Sequence, residues 1–172
     1  DAITVPIRQD NCPVHFSDAT VNRIIEMSAG YPYFIQFICR EIFDIYLGKL
    51  VAKQEPIIPE SELMRKLDQN FFSRRWELIT DAQRMFLKVV AQLENCEGEF
   101  TSQDIAKLSK LILEKPYSNS SITQFLTRLA ETGLVYKNRR GKYQFAVPLL
   151  SRFIKRQAED EFNLPPRFRT SS

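Results

Sequence analysis

The sequence predicts a mainly α protein: a helical bundle over 1–76, a winged helix-turn-helix domain of three helices plus a β-hairpin over 77–160, and a C-terminal tail at 161–172. Three observations predict it. The first is a long apolar stretch from Gly30 to Lys53, whose polar positions Gln36, Arg40 and Asp44 recur every fourth residue. The second is a pair of capping signatures, Thr80-Asp-Ala-Gln83 and Thr101-Ser-Gln-Asp104, each followed by apolar residues at helical spacing. The third is two strand-like runs, Leu134–Lys137 and Lys142–Val147, joined by Asn138-Arg-Arg-Gly141, where glycine permits a positive φ.

In chain order, Ile3, Val5 and Ile7 alternate with polar residues and with Pro6, as in an extended arm or the end of a strand. Ser17 is expected to cap a helix with Asp18 in its first turn and Val21, Ile24, Ile25 and Met27 as its apolar side. Gly30 then lets that helix stop in a left-handed conformation, and Pro32 starts the next with a fixed φ. At about 1.5 Å per residue this second helix spans roughly 35 Å, and its apolar content predicts burial on most sides. Arg40, Glu41 and Asp44 argue against a membrane span, because they would lie near the bilayer centre. Pro56 and Pro59 punctuate a connector, and Glu60 and Glu62 suit the start of a third helix that runs toward Trp76.

In the second part, Met85, Phe86, Val89, Val90 and Leu93 are expected on the inner face of the helix after Thr80, and Ile105, Leu108, Leu111 and Ile112 on that of the helix after Thr101. Lys115-Pro116 interrupts the pattern. The polar run 118–121 precedes a helix with Ile122, Phe125, Leu126 and Leu129 inside, ended by Gly133. A last helix begins at Pro148 with Leu149, Leu150, Phe153 and Ile154 as its apolar side. The tail LPPRFRTSS has no periodicity and is expected to fray.

Composition narrows the function. With 44% hydrophobic residues and thirteen Phe, the 172-residue chain can bury an aromatic core. Its first residue is Asp1, no secretory signal is recognisable, and the reading is a piece of a longer cytoplasmic protein without a membrane segment. Cys12, Cys39 and Cys96 are far apart and His15 is the only histidine, so neither disulfides nor a metal site is expected. The five glycines form no phosphate-binding loop, and no Ser/His or Cys/His nucleophile pair has support, so this chain is not expected to catalyse a reaction by itself. The net charge of +3 is unevenly spread: from Leu134 to Arg156 the chain carries Lys137, Arg139, Arg140, Lys142, Arg152, Lys155 and Arg156 without one acid.

That distribution directs attention to duplex DNA. In helix-turn-helix proteins the recognition helix presents its N-terminal polar face to the major groove. Here those residues are Ser120, Ser121, Thr123, Gln124, Thr127 and Arg128, of which Gln124 and Arg128 suit base reading. Lys137, Arg139, Arg140 and Lys142 in the hairpin suit phosphates. The alternative is a packing or regulatory module, since exposed helix faces and hairpin turns are polar in most proteins.

At Gly30-Tyr-Pro-Tyr-Phe-Ile-Gln-Phe-Ile-Cys-Arg-Glu41 the sequence resembles the helical lid of AAA+-related signal-transduction ATPases, the STAND class, and of the archaeal-type ATPases near them, which carry a G-x-P motif at this place. Phe71-Phe-Ser-Arg-Arg-Trp76, Thr80-Asp-Ala-Gln-Arg84 and Leu126-x-x-Leu129-x-x-x-Gly133-Leu-Val135 resemble the winged helix that follows such a lid. The resemblance implies an upstream P-loop ATPase domain that holds ATP and Mg, with Gly30, Tyr31 and Pro32 lining the nucleotide site of the complete protein and no cofactor in this chain alone. It also implies that homo-oligomers are possible. Origin-recognition-type initiators share the order of domains but place an arginine three residues after the equivalent glycine, where this sequence has Tyr33.

Overall fold

A computed structural model describes Ile3 and residues 12–53, 57–138 and 141–163, with side chains described as far as Ala158. The expected extended arm at Val5 and Ile7, Pro56 in the connector, Arg139 and Arg140 of the hairpin turn, and the tail from 164 lie outside the described residues. The chain is mainly helical with a small three-stranded antiparallel sheet, and it divides into two compact units, Asp1–Phe71 and Phe72–Ser172.

The first unit contains α1 (Asp18–Ser28), α2 (Pro32–Val51) and α3 (Glu60–Leu67). Ser17 caps α1 as its sequence position predicts, its Oγ accepting from the Thr20 amide at 3.2 Å. The left-handed stop falls first on Ala29 (φ 49°) and then on Gly30 (φ 71°), and the Gly30 amide reaches back to the Ile25 carbonyl at 3.2 Å. Burial of α2 differs from expectation. Only Phe34, Ile38 and Ile42 are buried, one stripe at every fourth residue, whereas Tyr33, Leu47, Leu50 and Val51 are exposed. The reason is its neighbours within the unit: α1 and α3 pack on α2, and two helices cover one side of a third rather than enclosing it. Ile38 and Ile42 of the stripe join Ile3, Ile24, Met27 and Leu63 in one core. Phe71 closes its end, with ring centroids 4.9 Å from Phe34 and 5.1 Å from Tyr33. On the surface Lys66 reaches Glu41 at 2.7 Å, and Arg23 is paired with both Glu26 and Glu60.

After α3 the chain makes a π-helical turn, Asp68–Phe72, and then α4 (Ser73–Glu77). The second unit continues with α5 (Asp81–Val90), β1 (Phe100–Thr101), α6 (Ser102–Ile112), α7 (Asn119–Glu131), β2 (Val135–Lys137), β3 (Lys142–Phe145) and α8 (Leu150–Asn163). Both predicted capping boxes form: Thr80 with Gln83 on α5, and Thr101 with Asp104 on α6. Packing of α5 against α6, α7 and α8 buries a wide arc, Phe86, Leu87, Val89 and Val90. Met85 lies outside that arc at 51% exposure, contrary to expectation. Likewise Leu111 and Ile112, expected inside, are 82% and 42% exposed, because the inner stripe of α6 runs through Ile105 and Ser109 and ends before the last turn.

On α7 the buried positions are Ile122, Leu126 and Leu129, as the periodicity predicts, and Phe125 stacks on Phe86 at 4.9 Å. Gly133 (φ 70°) ends α7 in a left-handed turn that returns the Leu134 amide to the Leu129 carbonyl at 3.1 Å. The strands then pair in the order β1-β3-β2, antiparallel, with Val135 opposite Phe145, Lys137 opposite Tyr143 and Phe100 opposite Tyr143 on the other edge. β1 was not foreseen; two residues carry no alternation to detect. α8 starts at Leu150 rather than Pro148, since Leu149 takes φ 70° in the preceding turn, yet Leu149, Leu150, Phe153 and Ile154 are all buried. Phe153 stacks on Phe72 at 5.1 Å and meets Trp76 edge-on at 5.6 Å. Among the described residues no helix is long and apolar enough to cross a membrane.

Candidate nucleic-acid interface

The first candidate group, Gly30, Tyr31 and Pro32, forms the corner between α1 and α2. Gly30 and Pro32 are exposed and Tyr31 is half-buried. Tyr31 is the N-cap of α2 and Pro32 its first residue, while the Tyr31 ring rests on Phe34 at 4.8 Å and its amide donates to the Ser28 carbonyl at 3.0 Å.

The second group lies on α7. Ser118 is the N-cap, accepting from the Ser121 amide at 3.1 Å, and its hydroxyl lies 2.9 Å from that of Ser120 and 2.8 Å from that of Ser121. Thr123 donates to the Asn119 carbonyl at 2.9 Å, and Thr127 to the Thr123 carbonyl at 2.9 Å. Ser120, Ser121, Thr123 and Thr127 are therefore hydrogen-bonded within their own helix. Gln124 and Arg128 differ: both are exposed, they stand one turn apart on one face, and neither side chain enters a hydrogen bond or ion pair among the described residues. These two side chains can reach a partner without first breaking an internal contact.

The hairpin supplies the third group. Lys137 and Lys142 are exposed, Gly141 turns with φ 78°, and the Asn138 amide donates to the Lys142 carbonyl at 2.7 Å, closing the turn. Lys137 lies over the Tyr143 ring, 5.9 Å from its centroid. Lys142 is engaged more firmly, its Nζ 2.8 Å from Glu99 Oε2, while the Asn138 side-chain amide donates to the other oxygen of the same carboxylate. Lys142 and Asn138 together hold the Glu99 carboxyl below the usual carboxylate range, and Glu99 in turn raises Lys142.

Sequence reasoning missed this neutralisation. The segment from Leu134 to Arg156 has no acid of its own, but Glu97 and Glu99 come to it from the turn before β1. The Arg152 guanidinium grips Glu97 with Nε at 2.9 Å from Oε1 and a second contact at 3.4 Å, which lowers the Glu97 carboxyl. Lys155 Nζ donates to Cys96 Sγ at 3.6 Å. The signal was present as Glu97-Gly-Glu99, but 43 and 55 residues separate these acids from Lys142 and Arg152. Only the β1–β3 pairing brings Glu99 to the hairpin.

The cysteines are free thiols; burial pushes the Cys39 thiol up to about 11, so it is protonated at neutral pH. Among the described residues no three His, Cys, Asp or Glu side chains gather as a metal site. An open groove of about 510 Å³ runs beside α6, lined by Leu93, Glu94, Phe100, Asp104 and Leu108 among others. The Asp104 carboxylate there is already committed to capping α6.

The chain belongs to the family described as a domain of unknown function (DUF8462), whose family model matches residues 69–154, half of the sequence. That stretch contains α7, the three strands and both acid–base pairs made by Glu97 and Glu99. A comparison with curated proteins finds no match.

Proposed function

We propose that the second unit is a winged helix that docks on duplex DNA, in the C-terminal lid and winged-helix portion of a nucleotide-switched ATPase of the AAA+/STAND type. The observation that carries this reading is the Gln124 and Arg128 pair, exposed and uncommitted on one face of α7, Gln124 at mid-helix and Arg128 in the last turn. Glutamine suits the adenine edge and arginine the guanine edge in a major groove, each such bidentate contact being worth about 1–3 kcal/mol of discrimination. The hydroxyls that flank them, Ser120, Thr123 and Thr127, are short and locally bonded, so they leave room for close approach. Lys137 and the turn with Arg139 and Arg140 follow α7 directly in the chain and supply sequence-independent phosphate contacts.

In this reading Gly30, Tyr31 and Pro32 face the nucleotide of an upstream P-loop domain, which carries ATP and Mg, and the nucleotide state sets where the winged helix is presented. The test is substitution of Gln124 and Arg128 to alanine, singly and together. Neither side chain supports the fold, so thermal stability stays within a few tenths of a kcal/mol while affinity for duplex DNA falls. Unchanged affinity in the double variant refutes the assignment of α7.

A second reading has its own observation. Glu97 and Glu99 neutralise Arg152 and Lys142, which leaves a mixed rather than uniformly basic surface on those elements. That favours an interaction module that packs on the ATPase domain or on another copy and controls its activity or assembly. Under it, no variant of α7 or of the hairpin changes DNA binding, because there is none.

A further inference from the structure

We infer that Glu99 is an internal counter-ion of the hairpin, holding Lys142 out of the set of cations that can neutralise DNA phosphates and so lowering the sequence-independent part of the affinity. The inference rests on the DNA-binding reading above and concerns the regulation of the same surface.

Three observations support it. Glu99 occupies both of its oxygens at the hairpin, one with Lys142 Nζ at 2.8 Å and one with the Asn138 side-chain amide. This is the kind of occupancy that a phosphate would find there, an ammonium and a neutral donor converging on an anion. Secondly, Asn138 and Lys142 stand at the facing ends of the hairpin connection, and they are joined to each other by a backbone bond at 2.7 Å. Glu99 therefore bridges the two residues where the strands of the hairpin end. Thirdly, Glu99 is delivered by backbone pairing, since it immediately precedes β1, whose Thr101 lies opposite Lys142 and whose Phe100 lies opposite Tyr143. The contact is thus held by the sheet rather than by two long side chains meeting by chance on a surface. The depressed Glu99 carboxyl and the raised Lys142 ammonium agree with a pair that remains charged at neutral pH.

Counter-ion release gives this arrangement a measurable sign. A lysine whose charge is matched by a fixed carboxylate releases no cation from DNA, whereas a lysine freed from it adds about 0.9 to the magnitude of the slope of log K against log salt. Glu99→Gln keeps the shape and the acceptor for Asn138 but removes the charge. Between 200 and 50 mM salt its affinity advantage over the unaltered chain should therefore grow about 3.5-fold, the fourfold change in salt raised to the power 0.9.

The experiment is fluorescence anisotropy with a labelled random-sequence duplex at several salt concentrations, using the full chain, Glu99→Gln, Lys142→Met, the Glu99→Gln/Lys142→Met pair and Arg139→Ala/Arg140→Ala, with a thermal melt of each protein. The expected result is a steeper slope and tighter binding for Glu99→Gln, and disappearance of both gains when Lys142 is Met. A gain that persists in the Lys142→Met background would come from removing a repulsive acid and overturns the inference. So does binding that weakens in Arg139→Ala/Arg140→Ala but does not respond to Glu99→Gln; in that case the DNA-binding reading stands without it. No binding by any of the proteins at low salt overturns the DNA-binding reading and the inference together.

Discussion

Removal of the Thr101 hydroxyl should loosen α6 by a predictable amount. Thr101 and Asp104 exchange three hydrogen bonds: the Asp104 amide donates to Thr101 Oγ1 at 3.2 Å, and the Thr101 amide and hydroxyl donate to Asp104 Oδ2 at 2.9 and 2.7 Å. Thr101→Ala deletes the first and the last and leaves an orphan amide in the first turn. Loss of such a cap costs about 1–2 kcal/mol. At about 4–8 °C per kcal/mol for a domain of 60–100 residues, the melting temperature of the second unit falls by roughly 5–15 °C. Thr101→Ser retains all three bonds and should recover most of the loss. The carboxyl adds a pH signature. Its hydrogen bonds from the Thr101 side chain and backbone hold Asp104 below its ordinary range. A carboxyl depressed in the folded state stabilises above its unfolded pKa and loses that contribution as the pH falls through the folded value. The gap between the unaltered chain and Thr101→Ala should accordingly be full at neutral pH and narrow below about pH 4. Urea denaturation followed by circular dichroism at pH 7 and pH 3 measures both quantities. Equal stability of the Ala and Ser variants, or a gap that widens in acid, would mean that the Thr101–Asp104 box does not hold the start of α6.

Further perturbations probe packing and backbone. Phe86 is fully buried, stacked on Phe125 at 4.9 Å and edge-on to Tyr117 at 5.4 Å, so Phe86→Ala should cost about 3–5 kcal/mol, read as a lower urea midpoint. Ala29 carries φ 49° at the stop of α1; a left-handed conformation costs an L-residue about 1–2 kcal/mol, against about 0.4–1 kcal/mol of added unfolded-chain entropy for glycine. Ala29→Gly should therefore raise stability by about 0.5–1 kcal/mol, and a destabilised variant would contradict the assignment of that turn. Leu111 is 82% exposed, so Leu111→Lys should leave the melting temperature unchanged to within about 0.5 kcal/mol equivalent, whereas a buried leucine at that position would not tolerate the charge.

What was legible in the sequence was local. The caps at Ser17, Thr80 and Thr101 depend on residues three positions apart, and all three form where their spacing puts them. The inner stripe of α7 and the pairing of β2 with β3 across Gly141 are equally short-range. Burial was less legible, because periodicity marks an apolar side but not how many neighbours will cover it. Leu47 and Leu50 on α2, Met85 on α5 and Leu111 on α6 are apolar residues for which their unit supplies no cover. β1 is two residues long, and its only sign in the chain is Phe100 beside a cap. The charge of the hairpin was the least legible feature. Counting Leu134–Arg156 alone makes it a basic block, and only the antiparallel pairing of β1 with β3 reveals that Glu99 reaches Lys142.

Equilibrium binding of the full chain to a labelled random-sequence duplex, as salt is varied, decides whether the second unit meets duplex DNA through α7 and the hairpin, as proposed. Micromolar or tighter binding at low salt, a steep negative dependence on salt concentration, and a shallower slope with weaker binding when Arg139 and Arg140 are both alanine are expected. Absence of binding at the lowest salt would contradict the DNA-binding reading and leave the interaction-module reading in its place.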